Sequence, residues 1–258
     1  MIFLIGGTGL VGSAFLRYLK KNKLNFKLIT RKNKINFYNK SCDILIDCNG
    51  NGSKRLGSLD PFFDFNASVN SVAENLMKIK FKKYIYISSV FTYSNLVNKN
   101  FTKENIKTNY ETLIPYGFNK LIAELYVKKY SKKYLILRLP YIVGPGLRRN
   151  PVYDLSHNMQ TFINLNSEIN CIHTDTIANI TMKLIKKNIN NEIYNLGAKD
   201  TIKIQKILDI CKLKKYQLKK TKRTDEKTRI NCNKINKIIN LPSSISQVKK
   251  YLNDIKYF

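Results

Sequence analysis

Residues Ile2 to Gly12 read I-F-L-I-G-G-T-G-L-V-G, and the reading of the fold starts from them. Ile2 to Ile5 is an apolar run with the length of a buried strand. Gly6, Gly7, Thr8, Gly9 and Gly12 interrupt it, and Val11, Ala14, Phe15, Tyr18 and Leu19 then recur at helical spacing. Strand, glycine turn and helix, in that order, are the context in which a Gly-rich motif marks a nucleotide site. Gly6 permits a sharp turn, Gly9 lets a pyrophosphate approach the backbone, and Gly12 lets the helix pack closely on the strand. The helix start adds unpaired N–H groups and a partial positive charge. The spacing is G-x-x-G-x-x-G, which says little without the strand and helix around it. Gly6, Gly7, Thr8, Gly9, Leu10, Val11 and Gly12 are the first candidate cofactor-binding residues.

Downstream, short strands and amphipathic stretches alternate. Phe26 to Thr30 reads as a second strand and Asp43 to Asp47 as a third, with no room between them for the helix and strand often found there. Asn49 to Gly52 then forms a turn at the carboxyl end of a strand, the edge where open α/β sheets bind ligands, which makes Asn49 and Gly50 cofactor candidates. Phe65, Val69, Val72, Leu76 and Ile79 give helical spacing over 62–79, and Lys83 to Ser88 is a strand ending in Ser88 and Ser89. A polar, irregular stretch leads to Pro115, after which an amphipathic helix runs to about Tyr130 with Leu121, Ile122, Leu125 and Val127. Tyr134 to Leu139 is a further strand. Repeated β-α-β predicts a parallel sheet covered by helices on both faces. After Gly146 the pattern loosens. Asn170 to Thr174 and Glu192 to Leu196 read as short strands, and Asp175 to Lys187 and Ile202 to Cys211 as helices.

Charge and cysteine content narrow the function classes. The chain of 258 residues carries 46 Lys+Arg against 17 Asp+Glu, a formal charge of +29. Such an excess invites a nucleic-acid partner, but the positive residues are mostly Lys scattered through an Asn- and Ile-rich chain, so nucleic acid is not the expected partner. The densest tract, Lys212 to Arg223, reads as a solvated strand-and-turn face. The retained consequence is steering of anionic ligands. The five Cys form no C-x-x-C and the chain has two His, so no metal site is expected. The opening residues already belong to a strand, and no apolar run approaches the ~20 residues of a membrane span. A cytoplasmic protein without membrane insertion is expected.

Tyr116 and Lys120 lie four apart on one helix and therefore share a face. A phenol of pKa ~10 must be lowered by about three to act as acid or base near pH 7, at ~4 kcal/mol. A nearby ammonium and a positively charged nicotinamide ring can supply that. Ser89, at the end of the preceding strand, is placed to hold a substrate oxygen. A second Y-x-x-x-K, Tyr216 and Lys220, has no such serine. At the end of the second strand an acidic residue would favour NAD by binding the ribose 2′-hydroxyl. The chain has Thr30, Arg31 and Lys32 there, and Arg31 suits a 2′-phosphate, so NADP(H) is favoured over NAD(H).

The chain resembles the extended short-chain dehydrogenase/reductases of the NAD-dependent epimerase/dehydratase family. The matching stretches, in family order, are Gly6 to Gly12, Ser88-Ser89-Val90-Phe91-Thr92-Tyr93, Tyr116 to Lys120, Leu137 to Gly146, Ile172 to Ala178 and Ile193 to Gly197. The resemblance implies a Rossmann-type doubly wound α/β fold over 1–146, with 170–197 returning to it. A small, partly interleaved C-terminal substrate lobe would occupy 147–258. It implies Tyr116 as acid/base, Lys120 binding the nicotinamide ribose and lowering the Tyr116 pKa, and Ser89 orienting the substrate. Ser88, Pro140, Tyr141, Ile142 and Val143 would line the cofactor, and Asp175 and His173 would be structural. Several positions depart from the family: Ser68 stands where its central helix has Asn, and Ser89-Val90-Phe91 replaces the Thr-Asp-Glu of its dehydratases. Arg148 and Arg149 could meet a substrate diphosphate. The expected activity is hydride transfer on a nucleotide-activated sugar, keto-reduction favoured over epimerisation. The alternatives are a non-catalytic NAD(P)-binding sensor, assembly or RNA-binding protein, and a reductase of steroid- or lipid-like ketones. The family also implies a homodimer through the helices at 62–79 and 116–130.

Overall fold

The computed structural model describes residues 1–211 and 224–257, so the Lys212–Arg223 tract and the Tyr216/Lys220 pair lie outside the described residues. β1 (Ile2–Ile5) runs through the glycine turn into α1 (Leu10–Lys21). β2 (Phe26–Ile29) is joined by one 3-10 turn to β3 (Ser41–Asp47), with no intervening helix and strand. α2 (Lys54–Leu59) and α3 (Pro61–Phe65) follow, then a π turn over Asn66–Asn70 and α4 (Ser71–Lys78). β4 (Lys80–Ser89), α5 (Pro115–Tyr130) and β5 (Tyr134–Leu139) complete the regular series. The remainder comprises β6 (Tyr141–Val143), α6 (Pro151–Ser156), β7 (Glu168–Ile169), β8 (Cys171–His173), α7 (Thr174–Lys186) and β9 (Glu192–Asn195). β10 (Ile202–Lys203), α8 (Ile204–Ile210), α9 (Asn233–Asn236) and α10 (Ser244–Asp254) close it. Two residues expected in the last of the predicted helices, Ile202 and Lys203, instead pair with β7 as a strand.

The main sheet has the order β2-β1-β3-β4-β5-β9, and every pairing in it is parallel. The chain moves outward from β1 to β2 and then returns to lay β3 on the other side of β1. The switch point therefore falls at the carboxyl ends of β1 and β3, where the glycine turn and Asn49 lie. Alternation along the strands feeds two cores. Leu4, Ile46, Ile85 and Leu135 pack with Phe15 and Leu19 of α1 and Leu184 of α7. Phe3, Leu45, Tyr84, Tyr86 and Ile136 pack with Val72 and Leu76 of α4 and Ala123 and Val127 of α5. A third cluster, with Val143, Val152, Leu155, Ile204, Ile207, Val248 and Leu252, belongs to the C-terminal part. Ile230, Cys232, Ile235 and Leu241 join the first core instead, so the C-terminal part interleaves further than the expected 170–197 return. Among the described residues no helix is long and apolar enough to cross a membrane.

Two helical faces differ from the periodicity reading. Phe65 is exposed, and Asp64 and Ser68 are buried in its place. The π turn at Asn66–Asn70 inserts a residue and rotates α3 against α4, so the apolar stripe does not run through. On α5, Leu125 is 55 % exposed whereas Asn119, Lys120 and Glu124 are buried. The polar residues turn inward because they have partners there. Glu124 is fully buried and receives Arg138 of β5 in a two-point contact, Nε to Oε1 at 2.9 Å and Nη2 to Oε2 at 2.6 Å. Ser88 of β4 adds a third donor to Oε1 at 2.6 Å.

Replacing Arg138 by Met removes one partner and strands Glu124 as a buried charge. The loss expected is about 3–5 kcal/mol, read as a lower urea midpoint at unchanged slope.

Candidate active site

The glycine turn has the close approaches that its residue types predict. Gly6 has φ +73°, and a Cβ there would sit 2.8 Å from the Cys48 carbonyl carbon. At Gly12 a Cβ would sit 2.1 Å from the Gly6 oxygen, so neither position accepts a side chain. The side of Gly9 is open, with only the Gly6 oxygen, at 3.3 Å, within reach of an added Cβ. Gly9 is also the N-cap of the 12-residue α1, which has no side-chain cap and no acidic residue in its first turn. Its N–H groups and dipole therefore remain available to an anion.

β3 and the loop after it form the neighbouring wall. Asp47 is buried and accepts from the Asn75 amide, the Tyr84 hydroxyl and the Asn49 backbone N–H. Burial raises its pKa against those three bonds. Gly50, at φ +126°, leaves room for Lys120: a Cβ there would lie 3.1 Å from Nζ.

Tyr116 opens α5 immediately after Pro115, and both it and Lys120 are buried on the inner face. The Ser89 hydroxyl lies near the Tyr116 phenol and favours its ionised form. Burial is the stronger influence and, with the Asp64 charge, pushes the phenol up to about 12. The expected lowering by Lys120 is therefore not present in this geometry. Lys120 Nζ turns instead to the Ile87 carbonyl at 3.4 Å and lies 5.3 Å from the centre of the Tyr86 ring. Burial lowers the Lys120 pKa, while Asp47, Asp64 and Glu124 work to keep it charged. An ammonium has three donors, and only one long bond occupies them among the described residues. An ordered dinucleotide fits here: open Gly9 and the α1 start for its phosphates, and the spare Lys120 donors for ribose hydroxyls.

The other expected site residues divide. Arg31 is exposed just past β2, beside β1. Ser88 is committed to Glu124. Pro140 is buried and Ile142 half-buried at the end of β5, but the Val143 side chain lies in the C-terminal core. Tyr141 donates to Glu226 at 2.6 Å. Arg148 is exposed, and Arg149 lies 3.8 Å from the buried Asp154 carboxylate. His173 and Asp175 belong to an ion-pair knot. His173 Nδ1 accepts the Asp175 N–H, its Nε2 meets Asp254 at 2.7 Å, and Arg17 holds Asp175 at 2.6 Å.

Five residues near the site are not singled out by the sequence reading. Glu226 pairs with Lys54 at 2.9 Å, and that ammonium sits 4.8 Å over the Phe91 ring, itself against Tyr116. Asp64 joins Asn51 and Asn119 below Tyr116. None lies in a spacing pattern, because their partners come from distant parts of the chain. The Asp three residues past Pro61 was the one readable hint, a carboxylate among phenylalanines.

Comparison with known proteins agrees with this geometry. No curated protein sequence matches the chain. Among solved structures, Pal from Bacillus thuringiensis superposes with TM-score 0.82 at 17% identity, covering 99% of this chain and 98% of that one. RMD from Pseudomonas aeruginosa complexed with NADPH gives TM-score 0.81 at 14% identity, with 98% of each chain covered. UDP-glucuronic acid 4-epimerase from Bacillus cereus, in complex with UDP-glucuronic acid and NAD, gives TM-score 0.79 at 19% identity, covering 99% and 98%. These likenesses establish the Rossmann-like fold. The family model described as NAD dependent epimerase/dehydratase family matches residues 2–197, three quarters of the chain, and the chain belongs to that family.

Proposed function

We propose that this chain is an NAD(P)-dependent oxidoreductase acting on a nucleotide-activated sugar, with keto-reduction favoured over epimerisation. The observation that carries the proposal is the neighbouring Ser89 and Tyr116 hydroxyls with buried Lys120 one helical turn away, beside an open glycine turn. A nicotinamide bound there supplies hydride transfer at its C4. Ser89 and Tyr116 hold the substrate oxygen between two hydroxyls. Tyr116 Oη gives its proton to that oxygen as a carbonyl becomes an alcohol, and takes one back in the reverse direction. A phenol pushed up to about 12 keeps its proton at neutral pH, the state that reduction starts from, and as a weak acid it still needs lowering by bound cofactor and substrate to transfer that proton efficiently.

For the substrate, Arg148 and Arg149 lie in the loop between β6 and α6, and we assign them to a diphosphate. The neighbour with UDP-glucuronic acid and NAD bound supports that substrate class. For the cofactor, Arg31 is exposed just past β2 and no carboxylate follows that strand before β3. We therefore assign NADP(H), as in the NADPH-bound neighbour. For assembly, Phe62, Phe63 and Met77 on the α3–α4 segment and Phe118 and Leu125 on α5 are exposed apolar side chains on adjacent helices. A second copy of this chain is their proposed partner.

Tyr116→Phe should cut NADPH-dependent carbonyl reduction by about 10²–10⁴-fold and leave NADPH affinity unchanged by fluorescence titration. Unchanged turnover would move the chain to the non-catalytic dinucleotide binders. In the wild type, reduction should hold through neutral pH and fall as alkaline pH deprotonates Tyr116, while the reverse oxidation rises. Arg31→Ala should weaken NADPH binding by about ten- to hundredfold, the worth of a charge-assisted bond, and leave NADH binding unchanged by calorimetry. Leu125→Asp with Phe62→Asp should give a monomer by light scattering; a wild type that is already monomeric sinks the dimer.

A further inference from the structure

Asp64 is a buried carboxylate that the mechanism above does not use. Its side chain has no exposure, and three donors from three places in the chain converge on it. Asn51 Nδ2, from the loop after β3, reaches Oδ1 at 2.8 Å. Asn119 Nδ2, on α5 between Tyr116 and Lys120, reaches Oδ2 at 2.7 Å. The Ser68 hydroxyl, within the π turn, reaches Oδ1 at 3.3 Å and accepts the Asn51 N–H at 3.4 Å. Gly57 of α2 closes over the group: a Cβ there would lie 3.0 Å from Tyr116 Cβ and 3.2 Å from the Asp64 carboxyl carbon.

We propose that Asp64 is a positioning residue for the Tyr116–Lys120 pair. Its carboxylate ties α5 to the Asn49–Gly52 loop on the cofactor side and places a fixed negative charge beneath both side chains. The proposal rests on the functional reading given above. Burying a carboxylate is costly unless donors surround it, and packing alone at this position would be met by an apolar residue. The surroundings of the pair are otherwise defined. Tyr86 of β4 and Asp64 of α3 act electrostatically with Tyr116. Asp47 and Cys48 from β3 and its loop, with Glu124 on α5 itself, act with Asp64 on Lys120. Asp64 is the carboxylate common to both residues. It also occupies the turn displaced by the π insertion, and such insertions recur at functional sites.

The test uses the full chain without cofactor, ring-¹³C tyrosine labelling, and Tyr116→Phe to assign the resonance. In Asp64→Asn, Tyr116 should titrate lower than in the wild type by about half a pH unit or more, and Asp64→Glu should restore most of the difference. A folded Asp64→Asn whose Tyr116 titration is unchanged overturns the proposal. Asn119→Leu keeps the charge and removes the α5 tie, which serves if Asp64→Asn does not fold. It should weaken NADPH binding by about tenfold, and unchanged affinity overturns the tie. A wild type that binds neither NADPH nor NADH refutes the functional reading, and leaves the Tyr116 titration as the separate test of Asp64.

Discussion

The buried contact between Glu124 and Arg138 is the constraint on which the site depends. Tyr116, Lys120 and Glu124 stand at successive turns of one helix, so whatever pins Glu124 also sets the height and rotation of the other two. Arg138 supplies that pin from β5 and Ser88 supplies it from β4. The pin acts on the helix that carries Tyr116 and Lys120, and it draws on the two strands that end beside Ser89 and Pro140. A two-point guanidinium–carboxylate contact has a specific planar geometry, so it resists sliding of α5 along the sheet better than apolar packing would. Glu124, with Asp47 and Asp64, also works against the lowering that burial imposes on the Lys120 pKa.

The sheet order determines where this helix meets the glycine turn. Returning the chain to lay β3 beside β1 opens a crevice at the carboxyl ends of those two strands. Gly6 and Gly12 close the turn so tightly that α1 begins within a backbone's width of β1. On the far side Gly50 vacates the volume that the Lys120 ammonium needs. The glycine turn and the helix of Tyr116 and Lys120 thus come from segments more than a hundred residues apart, and a small set of backbone approaches holds them in register.

Around this centre the chain commits many polar groups to the interior. Asp47, Asp64, Glu124 and Asp154 are all buried. The first three are surrounded by donors, consistent with the cost of leaving such groups unpaired. They lie along one line of the fold, from β3 through α3 to α5, and bring negative charge close to Lys120 in a chain with a formal charge of +29. The excess positive charge sits outside and favours the approach of anionic ligands.

Local pattern settled the architecture. Alternating apolar strands and helical spacings, with glycines between the first two elements, were sufficient for the parallel sheet, the missing crossover between β2 and β3, and the tight glycine turn between β1 and α1. The residue types and order of Ser89, Tyr116 and Lys120 were legible for the same reason: each lies at an element end or on one helical face. The buried face of α5, the exposure of Phe65 and Leu125, and the roles of Asp64, Asn51 and Glu226 were not legible. Each depends on a partner far away in the chain, and a polar residue that finds such a partner turns inward against its own periodicity. The π turn, a single inserted residue, shifts the phase of α3 against α4, and no spacing rule registers it. The direction of the Tyr116 pKa was likewise a tertiary matter. The sequence alone supplied a lysine that could lower it; the fold supplied burial and Asp64, which outweigh Ser89 and raise it.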